Sequence, residues 1–268
     1  MDKKNKNKLN PIKDLTPKHK RHSVYTDLAL ESAECIKPAD CGDTGEIDGI
    51  KMDIYSHSLK NGDLKITWIE IINEAGAASL NRPIGNYVTL ESEALKQNDA
   101  EAHEEIIKVL ADLLGKLKSG KKSGKVLIAG LGNSNVTPDA LGPRVVSKTL
   151  ITRHLEGKIP EDLEHSVVSV SAISPGVMGT TGIETCEIVK GIVERIKPDI
   201  VVVIDALAAR RASRVNATIQ ISDTGLSPGS GMGNVRKALN SGSLGVPVLA
   251  IGVPTVHTTQ VWRKPAQH

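Results

Sequence analysis

The chain contains no phenylalanine, and only three tyrosines and two tryptophans among its 268 residues. A core must therefore come from Val, Ile, Leu and Ala, a palette suited to helices packed on a parallel sheet. Base-stacking platforms for single-stranded nucleic acid need rings, so a direct nucleic-acid role is not expected. No apolar run of about 18 residues is present, which excludes a transmembrane helix. The basic N-terminus has no apolar signal-peptide region, which argues against secretion. Three cysteines, Cys35, Cys41 and Cys186, form neither an even disulfide set nor a zinc-ligand spacing. They fit a reducing interior, and a cytoplasmic location is expected. Eight histidines show no H-E-x-x-H pattern or Cys/His cluster, so neither a metal nor a cofactor is called for.

What is present is enough apolar sequence, 39%, for one large domain. The net charge of +3 is uneven: residues 1–22 hold eight Lys or Arg and two Asp, leaving 26 basic and 29 acidic residues in the remainder. Such an arm cannot bury enough surface to offset its ordering entropy, and reads as a solvated tail or a removable segment. Alternation over 49–55 and 64–72, separated by Asn61-Gly62-Asp63, predicts a β-hairpin. A loop over 73–86 and a helix over 100–117 follow. Beyond the Gly/Lys/Ser linker 118–124 the pattern alternates: strands over 125–129, 166–173, 200–204, 217–221 and 246–253, with helices over 143–154 and 183–196. The prediction is an α/β fold, a mainly parallel twisted sheet with helices on both faces plus an N-terminal hairpin.

In open α/β sheets ligands gather at the carboxyl ends of strands. Asp139 falls in the loop after the first strand of the alternating region, and Asp205 directly follows five β-branched residues. Two carboxyl groups brought close share a proton, one pKa rising, which readies them for acid–base work on a peptide carbonyl. Helix or turn capping by each is the competing reading. Gly130 and Gly132 hint at a dinucleotide loop, but no acidic residue ends the next strand. They also fit a close backbone approach or positive φ. The loop S-P-G-S-G-M-G-N-V-R-K, with Gly229, Gly231 and Gly233, resembles a phosphate cradle without a Walker ending.

Together the motifs T-D-L-A-L-E (26–31), R-P-I-G-N-Y-V-T-L-E (82–91), G-L-G-N-S-N-V-T-P-D-A-L-G-P (130–143), S-P-G-V-M-G-T-T-G-I-E-T (174–185), I-D-A-L-A-A-R (204–210), D-T-G-L-S-P-G-S-G-M-G-N-V-R-K-A-L-N (223–240) and I-G-V-P-T-V (251–256) resemble the germination protease family. G-x-G-N and I-D-A are more distantly similar to hydrogenase-maturation peptidases. The resemblance implies an atypical aspartic endopeptidase with Asp139 and Asp205 as its catalytic pair, acting on small acid-soluble spore proteins in the spore core. It further implies a zymogen that removes its own N-terminal segment and a homotetrameric assembly. Family substrates are cut after an acidic residue in a context like T-E-[FI]-A-S-E. Thr26-Asp27-Leu28-Ala29-Leu30-Glu31 matches it, predicting self-cleavage between Asp27 and Leu28. That divides the chain into a basic pro-segment (1–27), a peptidase domain (28–256) and an atypical tail (257–268) where the family continues with helical sequence. An acidic specificity implies basic partners, for which Arg210, Arg211, Arg214, Arg236 and Lys237 are candidates. An inactive shortened member and a phosphate-binding α/β enzyme are the alternatives.

Overall fold

A computed structural model of the chain describes residues 26–36, 48–97, 99–118, 124–158, 167–229 and 236–258. Residues 1–25, most of the tail, Cys41, Gly231 and Gly233 lie outside the described residues. Strands β1 (Ile50–Leu59), β2 (Gly62–Ile71), β3 (Gly85–Glu91), β4 (Lys125–Gly130), β5 (Ser169–Ile173), β6 (Ile200–Ala209), β7 (Thr218–Ser222) and β8 (Val248–His257) form one sheet. Its order is β1-β2-β3-β7-β8-β6-β4-β5. The block β8-β6-β4-β5 is parallel, as the alternating sequence predicts. The other half is antiparallel, so the hairpin is no appendage: β3 and β7 join it to the parallel block.

The side-chain period of two assigns each strand's residues to two faces. On one face lies α3 (Ala100–Leu117), whose Ala102, Ile106, Leu113 and Leu117 form a helical stripe over Leu64, Ile66, Val88, Leu90 and Leu249. Asp99 starts this helix by accepting from the Glu101 and Ala102 backbone N–H groups. On the other face, Cys186, Val189 and Val193 of α5 (Thr185–Ile196) pack on Leu127, Ala129, Val201 and Val203. Farther along that face, α1 (Ala29–Ile36) and α2 (Glu74–Leu80) cover Ile50, Ile69, Ile71 and Tyr87. Complete burial of a side chain such as Ile69 contributes about 1.5–3 kcal/mol.

Three local expectations change. The span read as a loop holds α2 and the start of β3. Its Gly and Ala content hides a helix made by end effects: Asn73 accepts from Gly76 N–H, and Asn81 closes the helix in the left-handed region. The helix expected over 143–154 is α4 (Leu141–Lys148), cut short because Thr152 bonds the β5 edge at Val168 and Val170 instead. The strand expected to end at Ile204 runs on to Ala209, because β8 continues alongside it to His257. Among the described residues, no helix is long and apolar enough to cross a membrane.

Candidate active site

The chain leaves β4 toward β5 on one side, while β6 lies on the other, so the carboxyl end of β4 is a topological switch point. Gly130 ends β4 opposite Ile204, and the Leu131 N–H donates to the Ile204 carbonyl at 2.7 Å. This bond fixes the loop after β4 against β6, one residue before Asp205. Two glycines allow the tight approach. A Cβ on Gly130 would lie 2.2 Å from the Gly142 carbonyl oxygen at the start of α4. Gly132, at φ +109°, would place a Cβ 2.0 Å from the Asp139 carbonyl oxygen. The close neighbour at Gly130 is thus the chain's own backbone, as at Gly132.

Asp139 ends a short 3-10 turn, Thr137–Asp139, with the Thr255 hydroxyl donating to the Pro138 carbonyl at 2.6 Å. Its carboxylate accepts from the Asn133 N–H at 2.8 Å and makes no cap for α4, whose N-terminus lacks a side-chain cap. Asp205 lies within β6, not at a turn, and its Oδ1 accepts from the Ala206 N–H at 2.9 Å. The capping reading therefore fails for both. Both carboxylates line one cleft with Leu131, Gly132, Val177, Gly229 and Arg236.

Their environments differ. Burial, reinforced by the Asp139 carboxylate and then by Asp27, pushes the Asp205 pKa up to about 8, against the Ala206 N–H and Arg236. Burial also raises Asp139, but the Asn133 N–H and Arg236 oppose it. At neutral pH Asp205 holds a proton that Asp139, the more exposed of the two, more readily gives up.

Asp27 borders the same cleft and a second, adjoining cavity that contains Asp205, Arg82, Gln220 and Gly252. Its N–H donates to the Ala208 carbonyl at 3.0 Å, and its carboxylate accepts from the Ala208 N–H at 2.8 Å. The Arg82 guanidinium donates to the Thr26 carbonyl at 3.0 Å. Leu28 is fully buried against Leu207, Ala209 and Val215. The Thr26 hydroxyl donates to Glu31, which is itself completely buried. The segment 26–29 thus lies along β6 beside the paired carboxylates.

Of the five basic candidates, Arg236 lines the cleft. Arg214 is corrected to a structural residue: it is buried, with its guanidinium engaged by Glu31, Glu34 and Glu91, and it lines neither cavity. Arg210 and Arg211 are placed by their backbone N–H groups on Glu31, and the Arg211 side chain pairs with Glu34. Lys237 pairs with exposed Glu187 at 2.8 Å. Sequence order brought these five near a strand end, but the direction of each side chain was not written in it. Gly229, at φ +71°, lines both cavities. Sequence reasoning missed Arg82 and Gln220. The signal for Gln220 was a lone amide on the buried face of the T-I-Q-I-S strand; Arg82 showed only as part of the R-P motif.

The chain is 50% identical over 235 residues to a germination protease of Caldanaerobacter subterraneus subsp. tengcongensis, covering 87% of this chain and 69% of the relative. It is 50% identical to a germination protease of Clostridium tetani over 87% of this chain and 70% of that one. With the germination protease of Bacillus subtilis it shares 47% identity over 88% of this chain and 64% of the relative. Among solved structures it is similar to the [NiFe] hydrogenase maturation protease HycI from Thermococcus kodakarensis KOD1, with 20% identity and a TM-score of 0.33, over 53% of this chain and 80% of that one. The family model described as germination protease matches residues 29–262, and the chain belongs to that family.

Proposed function

We propose that this protein is a self-processing endopeptidase of spore germination that hydrolyses peptide bonds after acidic residues with the Asp139–Asp205 pair. Family membership carries the peptidase role. The finer reading is supported chiefly by one observation: the two aspartates line a common cleft that Asp27 also borders, with Leu28 buried next to it. Asp139 ionises the more readily and serves as the base that takes a proton from water. Asp205, protonated at neutral pH because of its burial, donates a hydrogen bond to the carbonyl under attack, and Asp139 passes the proton taken from water to the departing amine.

The acidic residue before the bond is held by the Ala208 N–H, with Arg236 the cation on the same cleft wall. The apolar residue after it fits the pocket of Leu207, Ala209 and Val215 now filled by Leu28. Small acid-soluble spore proteins are the substrate class that this acidic–apolar preference suits. Removal of residues 1–27 takes away eight basic and three acidic residues, changing the net charge from +3 to −2. While the chain is uncut, Asp27 borders the cleft and hinders entry of other peptides; a homotetramer is the assembly proposed for the active form.

Incubation of wild type, Asp139→Asn and Asp205→Asn chains with a T-E-I-A-S-E peptide, followed by mass spectrometry and N-terminal sequencing, tests the reading. Cleavage by wild type with a new Leu28 N-terminus, lost in both variants, is expected. An intact Met1 in active wild type, or cleavage by either variant at the wild-type rate, refutes it.

A further inference from the structure

We infer that Gln220 is an oxyanion donor that spans the bond to be cut, holding the carbonyl before it and the amide one residue beyond it. The inference rests on the reading of Asp27–Leu28 as the self-cleavage site. It starts from strand register. Asp205 of β6 and Gln220 of β7 are both paired with Gly252 of β8, so the three residues form one row across the sheet. Paired residues point to the same face, and neighbouring strands lie about 4.8 Å apart. Asp205 and Gln220 therefore face the same cavity from two strand spacings apart, with a residue lacking a side chain between them. A Cβ on Gly252 would fall 2.4 Å from the Leu207 side chain, so the close packing of Leu207 over this row requires glycine.

The segment in question is held by Gln220. Gln220 Nε2 donates to the Asp27 carbonyl at 3.0 Å, and its Oε1 accepts from the Ala29 N–H at 2.7 Å. One carboxamide orientation satisfies both bonds, so the donor is fixed on the carbonyl. Gln220 is buried, and a hydrogen bond in such surroundings is stronger than one in water. When water oxygen adds to the Asp27 carbonyl carbon, its proton passes to Asp139 and the carbonyl π pair moves onto oxygen. The Nε2–H donor, together with the Asp205 proton, stabilises that oxygen. The oxygen electron pair then re-forms the carbonyl as the C–N bond breaks, and Leu28 nitrogen takes the proton held by Asp139, while Oε1 keeps the departing strand in place through Ala29.

Gln220→Glu retains the acceptor and removes the donor; Gln220→Met removes both. Self-cleavage of each full-length variant should slow about 100- to 1,000-fold, the range for loss of one oxyanion donor. After prolonged incubation to completion, hydrolysis of a T-E-I-A-S-E peptide should show a lowered kcat with little change in KM. Two outcomes overturn the assignment while leaving self-processing intact: variants that cleave within about threefold of wild type, or processed variants with normal kcat, which would make Gln220 a dock for residues 26–29 only. A wild-type chain that never cuts at Asp27–Leu28, when Asp139→Asn behaves identically, overturns self-processing and this assignment together. Circular dichroism identifies a variant that fails to fold, and the other variant then decides.

Discussion

Asp205 should make the folded protein less stable as pH rises, and Asp205→Asn should abolish that loss along with activity. The carboxyl group titrates near its ordinary 3.8 in the unfolded chain and at about 8 in the folded one. Below both values each state is protonated and there is no penalty. Between them the unfolded chain releases a proton that the folded chain keeps, so stability falls by about 1.4 kcal/mol per pH unit. Above about 8 the penalty is complete. From about pH 5 to about pH 8 the loss reaches roughly 3–4 kcal/mol, an upper bound because water entry would screen the buried charge. Asn retains the Oδ1 that accepts from Ala206 N–H, so packing is preserved. Urea unfolding of both proteins at the two pH values gives the difference directly. If the gap between Asp205→Asn and wild type does not widen toward alkaline pH, Asp205 is not held protonated and its assignment as the acid fails.

Arg214→Ala leaves buried Glu31 and its neighbours Glu34 and Glu91 without their shared cation, and should destabilise by about 3–5 kcal/mol in thermal melts. Arg236→Ala should leave melting nearly unchanged but raise KM for an acidic peptide; an unaltered KM would remove Arg236 from substrate binding. Leu28→Ala, at a fully buried site, should cost about 2–4 kcal/mol in the uncleaved chain, measured by urea denaturation of an Asp139→Asn background that cannot process itself. Gly132→Ala should depress activity at least tenfold while the sheet persists by circular dichroism, because its new methyl group would displace the Asp139 backbone.

Much of the architecture was legible because hydrophobic period is a local property. The β-branched run 200–204, the alternating hairpin and the apolar stripe of α3 each declare their element within a few residues. Elements made by their ends were not legible: α2 depends on Asn73 and Asn81 more than on its Gly/Ala interior. Strand length also escaped, since β6 reaches Ala209 only because a partner distant in sequence lies beside it. Asp205 stood out because an acid directly after five apolar residues is costly without a task, and Asp139 because it falls in the loop after the first strand of the alternating region.

By itself, the sequence determined the family, the aliphatic α/β core and the two candidate carboxylates, all of which reside in contiguous motifs. The tertiary structure alone decided how those carboxylates differ, because the burial of Asp205 comes from strands and loops spread over the chain. It also separated Arg236 from Arg214, two similar cations in sequence, one facing the cleft and the other enclosed by three glutamates. And it placed Gln220 and Asp205 on either side of Gly252, a register set by hydrogen bonds between strands that local sequence does not specify.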